Sequence, residues 1–280
     1  MNTPARAKRI PRSQVAIYAA LTVVAVAVLL PFVFMLSTSF KPPREVYELP
    51  FRFVPRAPTL ANYRAALTQV NLTRGTLNTV AIAVPSTLGG LLTASFAGFA
   101  FAKLRFAGRE FLFALLIGTM MVPGVLLLIP QFSAFAEIGW VDTFWPLIVP
   151  GAMGTGMATF MMRQFFKGVP DEIVEAAALD GATPWQLFTR IIFPLARPAL
   201  ITLAVFGFKG AWNDYFGPLV YLSSPNKMNI QQMIAATQNA YGGDPGILMA
   251  GSALAMVPLL VLFLFAQRYF IEGIATTGLK

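Results

Sequence analysis

An all-α integral membrane protein with six transmembrane helices is the fold class this sequence predicts, and three observations carry the prediction. Of 280 residues, 56% are apolar and only 12% are charged, about half the roughly 25% charged share of a soluble domain. The mean hydropathy is +0.66. Charge-free stretches also recur at the length a membrane demands, since a hydrocarbon core about 30 Å thick takes about 20 residues at 1.5 Å rise.

The first such stretch, 13–40, follows Arg6, Lys8, Arg9 and Arg12. It exceeds the roughly 7–15 residue apolar region of a signal peptide and no A-x-A cleavage site follows it, so a retained span near 15–38 is expected. Further charge-free stretches at 75–102, 111–136, 143–162 and 245–267 place spans near 74–102, 110–130, 144–163 and 246–267. A fifth span is expected near 198–222, although Lys209 and Asp214 interrupt it. The expected organisation is a short cytoplasmic segment 1–14, a six-span domain 15–267 and a cytoplasmic tail 268–280. Proline and glycine within the stretches, such as Pro85, Pro123, Gly124 and Pro258, read mostly as kinks that neighbouring helices tolerate. The small residues Gly89, Gly90, Ala94, Ala97 and Gly98 read as a close-packing helix face.

The formal net charge is +9, but the basic residues are scattered between apolar blocks, which points to membrane orientation and not to nucleic acid. With the N-terminus inside, the inner segments hold 13 of the 21 Lys and Arg, the outer segments seven, and the fifth span Lys209. That asymmetry predicts N-in, C-in, with 164–196 inside and 41–73 and 223–245 outside. The chain has no Cys and no His, which excludes thiol nucleophiles, disulfides, and the commonest metal ligand and general base. No cofactor is expected within this chain.

The inner segment 164–196 reads as two short helices across a turn. Pro170 opens the first, with Asp171 and Glu172 in its first turn where the helix dipole favours anions. Gly181 can take the left-handed position that ends it. Thr183-Pro184-Trp185-Gln186 has capping-box spacing with proline at the first helical position, and Pro194 closes the second helix. Glu175-Ala176-Ala177-Ala178-Leu179-Asp180-Gly181, followed by Ile191-Ile192-Phe193-Pro194, resembles the EAA loop of importer-type ABC transporter permeases, with Phe193 where the pattern has Leu. The resemblance implies a type I importer permease fold with a cytoplasmic coupling helix. In that reading Glu175, Ala176, Ala177, Asp180 and Gly181 dock in a groove of the ATP-binding subunit. The competing reading, a helix lying on the inner leaflet, fits its acidic residues poorly.

The sequences Met35-Leu36-Ser37-Thr38-Ser39-Phe40-Lys41, Thr59-Leu60-Ala61-Asn62-Tyr63, Asn78-Thr79, Phe106-Ala107-Gly108 and Trp212-Asn213-Asp214-Tyr215 are similar to the carbohydrate-uptake permeases, specifically the partner without a large extra outer domain. No G-x-x-x-x-G-K-[ST] phosphate loop occurs. The resemblance therefore implies two ATPase subunits that bind ATP and magnesium, a second permease of similar fold, and an extracytoplasmic binding protein that delivers sugar, all at a bacterial or archaeal inner membrane. A glycerol-phosphate or polyol cargo fits the same motifs.

Asn213, Asp214, Tyr215 and Lys209 stand in or beside an apolar stretch, where charges face a cavity or a partner. Two readings stay open: these residues line the sugar path, or they pair with the second permease and backbone carbonyls. Trp212 reads as packing or an interface anchor. An ion-coupled secondary transporter would show coupling carboxylates in several spans or an internal repeat, and a membrane enzyme would need a carboxylate pair. Neither pattern is present in the spans.

Overall fold

The structure is a computed structural model that describes residues 12–240 and 243–277, and every regular element among them is helical. One unit holds the described residues up to Val70 together with Thr237–Leu254. The other holds Asn71–Ala236 with the described residues from Ala255 onward. Residues 1–11 and 278–280, most of the basic front and the last residues of the tail, lie outside the described set.

In the first unit, α1 (Arg12–Ser39) is apolar all round and its side chains stay exposed along most of its length, as for a helix whose solvent is hydrocarbon. After the short α2 (Pro43–Val46) comes α3 (Ala61–Thr68). Two of the motifs read from the sequence meet here. The buried Asn62 donates through Nδ2 to the carbonyls of Ser39 (2.9 Å) and Lys41 (2.8 Å), and the Thr59 amide donates to the Phe40 carbonyl at 2.8 Å. These bonds satisfy carbonyls released at the C-terminal end of α1.

The second unit is built around α4 (Leu72–Lys103), a helix of 32 residues. The expected small-residue face is used within the chain. A Cβ added at Gly90 would fall 2.6 Å from the Gly151 carbonyl oxygen, and one at Gly98 would fall 2.6 Å from Met162 Cβ. Thr93 Oγ1 adds a hydrogen bond to the Ala152 carbonyl at 2.8 Å. Backbone-to-backbone approach of this kind is how helices associate where no hydrophobic effect separates them from lipid.

Among the described residues three helices are long and apolar enough to cross a membrane, Gln14–Ser39, Leu72–Lys103 and Pro245–Arg268, and two sharply bent helix pairs raise the count to five if each is one crossing. The stretches near 110–130, 144–163 and 198–222 are therefore not continuous helices. The first divides into α5 (Arg109–Thr119) and α6 (Leu128–Glu137), joined by a 3₁₀ turn over Gly124–Leu127 and bent by 88°. Pro123 causes the break, having no N–H to return to Thr119. The second divides into α7 (Trp145–Ala152) and α8 (Gly156–Lys167). Gly154 between them has φ +81°, and Thr155 Oγ1 caps α8 by accepting from the Ala158 amide at 3.1 Å.

Next come α9 (Asp171–Leu179), α10 (Pro184–Leu187) and α11 (Phe193–Leu195), the last two joined by a π-turn over Phe188–Ile192. Pro194 does not end this helix, which runs one residue further before turning by 75° into α12 (Arg197–Asn213). Helix α12 stops at Asp214 and the chain resumes in α13 (Phe216–Tyr221). Pro218 carries no N–H for the Asp214 carbonyl, and Asn229 Nδ2 takes that acceptor at 2.6 Å. Trp212 is fully buried and donates from Nε1 to the Ala255 carbonyl at 3.0 Å, which makes it a packing residue. Helices α14 (Ile230–Ala240) and α15 (Pro245–Thr277) complete the chain.

The close approach of α4 yields a stability prediction. Gly98→Ala should cost about 1–3 kcal/mol because its Cβ has no room. Gly118→Ala, in α5 with nothing within 4 Å of its Cβ position, should leave stability unchanged or slightly raised. Thermal unfolding of the two variants in detergent reads the difference.

Candidate functional site

Two features stand out in the second unit: a helical hairpin over 170–195 and a polar cavity beside α4. The hairpin's turn is closed by a paired set of backbone bonds. The Gly181 amide donates to the Ala178 carbonyl at 3.1 Å and the Ala182 amide to the Ala177 carbonyl at 2.9 Å, with Gly181 at φ +77°. This is the Schellman arrangement, in which a left-handed residue lets the chain reverse while the last helical carbonyls stay bonded. Thr183 Oγ1 then accepts from the Gln186 amide at 3.3 Å, and Gln186 Oε1 accepts from the Thr183 amide at 2.9 Å, the reciprocal capping box.

The helix α9 divides the sequence-predicted docking residues. Ala177 is buried and packs in a cluster with Phe99, Phe166, Leu187, Phe188 and Ile192, so it belongs to the foot of the hairpin and not to its outer face. Glu175, Ala176, Asp180 and Gly181 are exposed. Beside them lies Leu179, 89% exposed, an apolar side chain on the same outer face. Sequence reading missed it. Its signal was an i, i+4 step from Glu175, which puts both on one face of the helix.

Two basic residues counted in the sequence for orientation fasten the hairpin end of the unit. The side chain of Lys103, 4% exposed, donates from Nζ to the Val169 carbonyl at 2.7 Å and to Asp171 at 2.5 Å. This pairing holds the Asp171 carboxyl below the usual carboxylate range. Arg163 forms two bonds from Nη2 to Glu110 at 2.9 and 3.0 Å, donates from Nε to the Phe101 carbonyl at 3.2 Å and lies 3.8 Å over the Phe113 ring. A planar guanidinium meets all of these partners at once.

The cavity has a volume of about 360 Å³ and lies among α4, α7, α8, α12 and α13. Its polar lining includes Ser86, Thr87, Thr155, Asp214 and Asn229. Of the four expected path residues only Asp214 lines it. Its Oδ1 accepts from the Gly217 amide at 3.1 Å and caps α13. Asn213 is exposed and its Oδ1 accepts from Gln231 at 3.4 Å, while Tyr215 and Lys209 are exposed and outside the lining. Lys209 and Asn213 belong to α12 but not to the face that lines the cavity, which is formed by Leu203, Gly207, Gly210 and Ala211, while Tyr215 follows the break at Asp214, where helical spacing no longer applies.

Residues 66–276 match the family described as binding-protein-dependent transport system inner membrane component. The chain belongs to this family. It is 33% identical to the arabinooligosaccharides transport system permease protein AraQ of Halalkalibacterium halodurans, over 89% of this chain and 90% of the relative. It is 30% identical to the inner membrane ABC transporter permease protein YcjP of Escherichia coli, over 96% and 97%. Its fold matches a chain in the crystal structure of a bacterial ABC transporter involved in the import of the acidic polysaccharide alginate, with a TM-score of 0.84, 22% identity, and coverage of 96% and 100%.

A third polar site of the permease was not foreseen. Asp142, at φ +57° in the connection before α7, gathers the segment after α13: Oδ1 accepts from the Ser223 and Ser224 amides at 3.0 and 2.9 Å, and Oδ2 accepts from Ser224 Oγ and from Lys227 at 3.0 Å. These bonds, that from Ser224 Oγ first, hold the Asp142 carboxyl far below the usual carboxylate range. A depressed native pKa means that the bonded form contributes stability above the unfolded value near 4, lost only as pH falls through the lower native value. Amide exchange at Ser223 and Ser224, corrected for intrinsic rates, should therefore be unchanged between pH 7 and 5. Asp142→Asn should speed it about tenfold or more at both values.

Proposed function

We propose that this permease is one membrane subunit of an ATP-driven importer for oligosaccharides in a bacterial or archaeal inner membrane. It works with a second homologous permease, two ATP-binding subunits that hold ATP and magnesium, and an extracytoplasmic binding protein that delivers the sugar. The permease itself carries no catalytic role. Its sugar class is supported by relatives named for arabinooligosaccharides and, in Rhizobium meliloti, for alpha-glucoside transport.

The hairpin geometry carries the reading. One face of α9 is keyed into the bundle through Ala177 while the other offers Glu175, Leu179 and Asp180 uncovered. A slim helix with an apolar tip and flanking carboxylates suits a groove edged by basic groups. Because α9 is stapled to α4 through Lys103, movement of the groove would reach the helix that borders the cavity.

The topology in this proposal is N-in, C-in, with 164–196 on the cytoplasmic side. With no native cysteine, single cysteines at Thr183, Ser133 and Ser223, all exposed, report it cleanly. An impermeant maleimide applied to intact cells should label positions 133 and 223 and spare 183. The reverse pattern between 183 and 223 contradicts the topology.

Gly181 tests the docking role. Space around its Cβ position is open, so Gly181→Val acts only through the left-handed backbone, at about 1–2 kcal/mol. Asn tolerates that conformation better. In reconstituted complexes Gly181→Val should insert and assemble but lose stimulated ATP hydrolysis and uptake together, while Gly181→Asn keeps most of both. Full coupling in Gly181→Val would remove the hairpin from the transmission path.

A further inference from the structure

We propose that the cavity beside α4 is a passage site for one ring of a neutral, polyhydroxylated ligand, held by the hydroxyls of Ser86 and Thr87 and the carboxylate of Asp214. The inference rests on the importer reading above and names the charge class of the cargo.

The hydroxyl residues of α4 show why these two differ. Thr76, Thr79, Thr93 and Ser95 each donate back to the carbonyl four residues earlier, at 2.8, 2.7, 2.9 and 2.6 Å. That is the usual way a Ser or Thr hydroxyl is satisfied inside a helix. Ser86 and Thr87 stand midway along the same helix, and among the described residues Thr87 makes no such bond. Thr87 Oγ1 is buried with no partner among the described residues. Both side chains line the cavity. A hydroxyl withdrawn from solvent and from its own backbone needs another donor or acceptor, and a sugar hydroxyl supplies either.

The walls agree with a ring-shaped occupant. Gly90, Gly151, Gly154, Gly207 and Gly210 all border the space, so backbone and not side chain forms much of its surface. At about 360 Å³ it falls at the small end of the roughly 300–1,000 Å³ of ligand pockets.

Charge settles the class. Among the described residues Asp214 is the one charged residue in the lining, and Lys209 is not part of it. A carboxylate accepts from sugar hydroxyls, whereas a phosphate or uronate would meet it with no cation to offset the repulsion. Neutral saccharides fit the site, and glycerol-phosphate and acidic sugars do not.

The complete reconstituted importer, in vesicles with its own binding protein, tests this with radiolabelled arabinotriose, maltose and trigalacturonate. Uptake by the wild type of neither neutral probe, with ATP hydrolysis intact, would overturn the importer reading for oligosaccharides itself. Uptake of trigalacturonate in preference to both neutral probes would overturn the charge class alone. For whichever neutral probe is transported, Thr87→Val, which keeps the shape and removes the hydroxyl, should lower sugar moved per ATP hydrolysed about two- to tenfold, the loss of one hydrogen bond. Thr87→Ser should restore it. Equal losses in Val and Ser would show a packing role and overturn the proposal. Gly210→Leu provides a second variant, since nothing lies within 4 Å of its Cβ position and the helix can accept the side chain. It should block uptake by filling the cavity, and wild-type uptake in Gly210→Leu would show that nothing passes there.

Discussion

The close approach of α4 to its neighbours is the constraint on which the second unit depends. Helices in hydrocarbon gain little by hiding apolar surface from lipid, so they associate where small residues let backbones meet. Gly90 against Gly151 and Gly98 against Met162 set that distance, and neither pair leaves room for a methyl group. The same helix carries Ser86 and Thr87 at mid-length and Lys103 at its end. Cavity and hairpin are thereby attached to one rigid element.

A second constraint explains the broken helices. Every backbone group within a membrane must find a partner in the protein, and each proline removes one donor. At the break at Asp214, where Pro218 offers no donor, Asn229 makes good the loss with a side chain that takes the Asp214 carbonyl, while the Asp214 carboxylate caps the helix that follows. One short stretch thus ends α12, starts α13 and leaves a polar floor beneath the cavity. Asp142 does comparable work for the segment 223–227, where amides outside any helix need an acceptor.

The hairpin shows how a motif read as one unit serves two surfaces. Ala177 is buried among aromatic and aliphatic side chains, and Glu175 and Asp180 face outward. A run of alanines is slim enough for both purposes, since it packs against the bundle on one side without bulk on the other. The staple from Lys103 fixes the first turn of α9, and the left-handed Gly181 fixes its last. Held at both ends, the helix can transmit displacement instead of absorbing it.

The sequence by itself determined the helical class, the 164–196 loop with its glycine turn and capping box, and the family, because these follow from local propensities and from spacing within some 20 residues. It also identified the small-residue face of α4. What only the tertiary structure decided was which side chains meet across long separations: that Ala177 points inward, that Lys103 and Arg163 are structural staples, that Asn62 binds the end of α1, and that Ser86 and Thr87 share a cavity with Asp214 while Asn213, Tyr215 and Lys209 do not. The physical reason is that spacing along a helix tells which residues share a face but not which neighbour that face meets, so Lys209 and Asn213 sit on α12 away from the cavity. At the breaks even that spacing lapses, since a charge-free run reads the same whether its helix is continuous or bent.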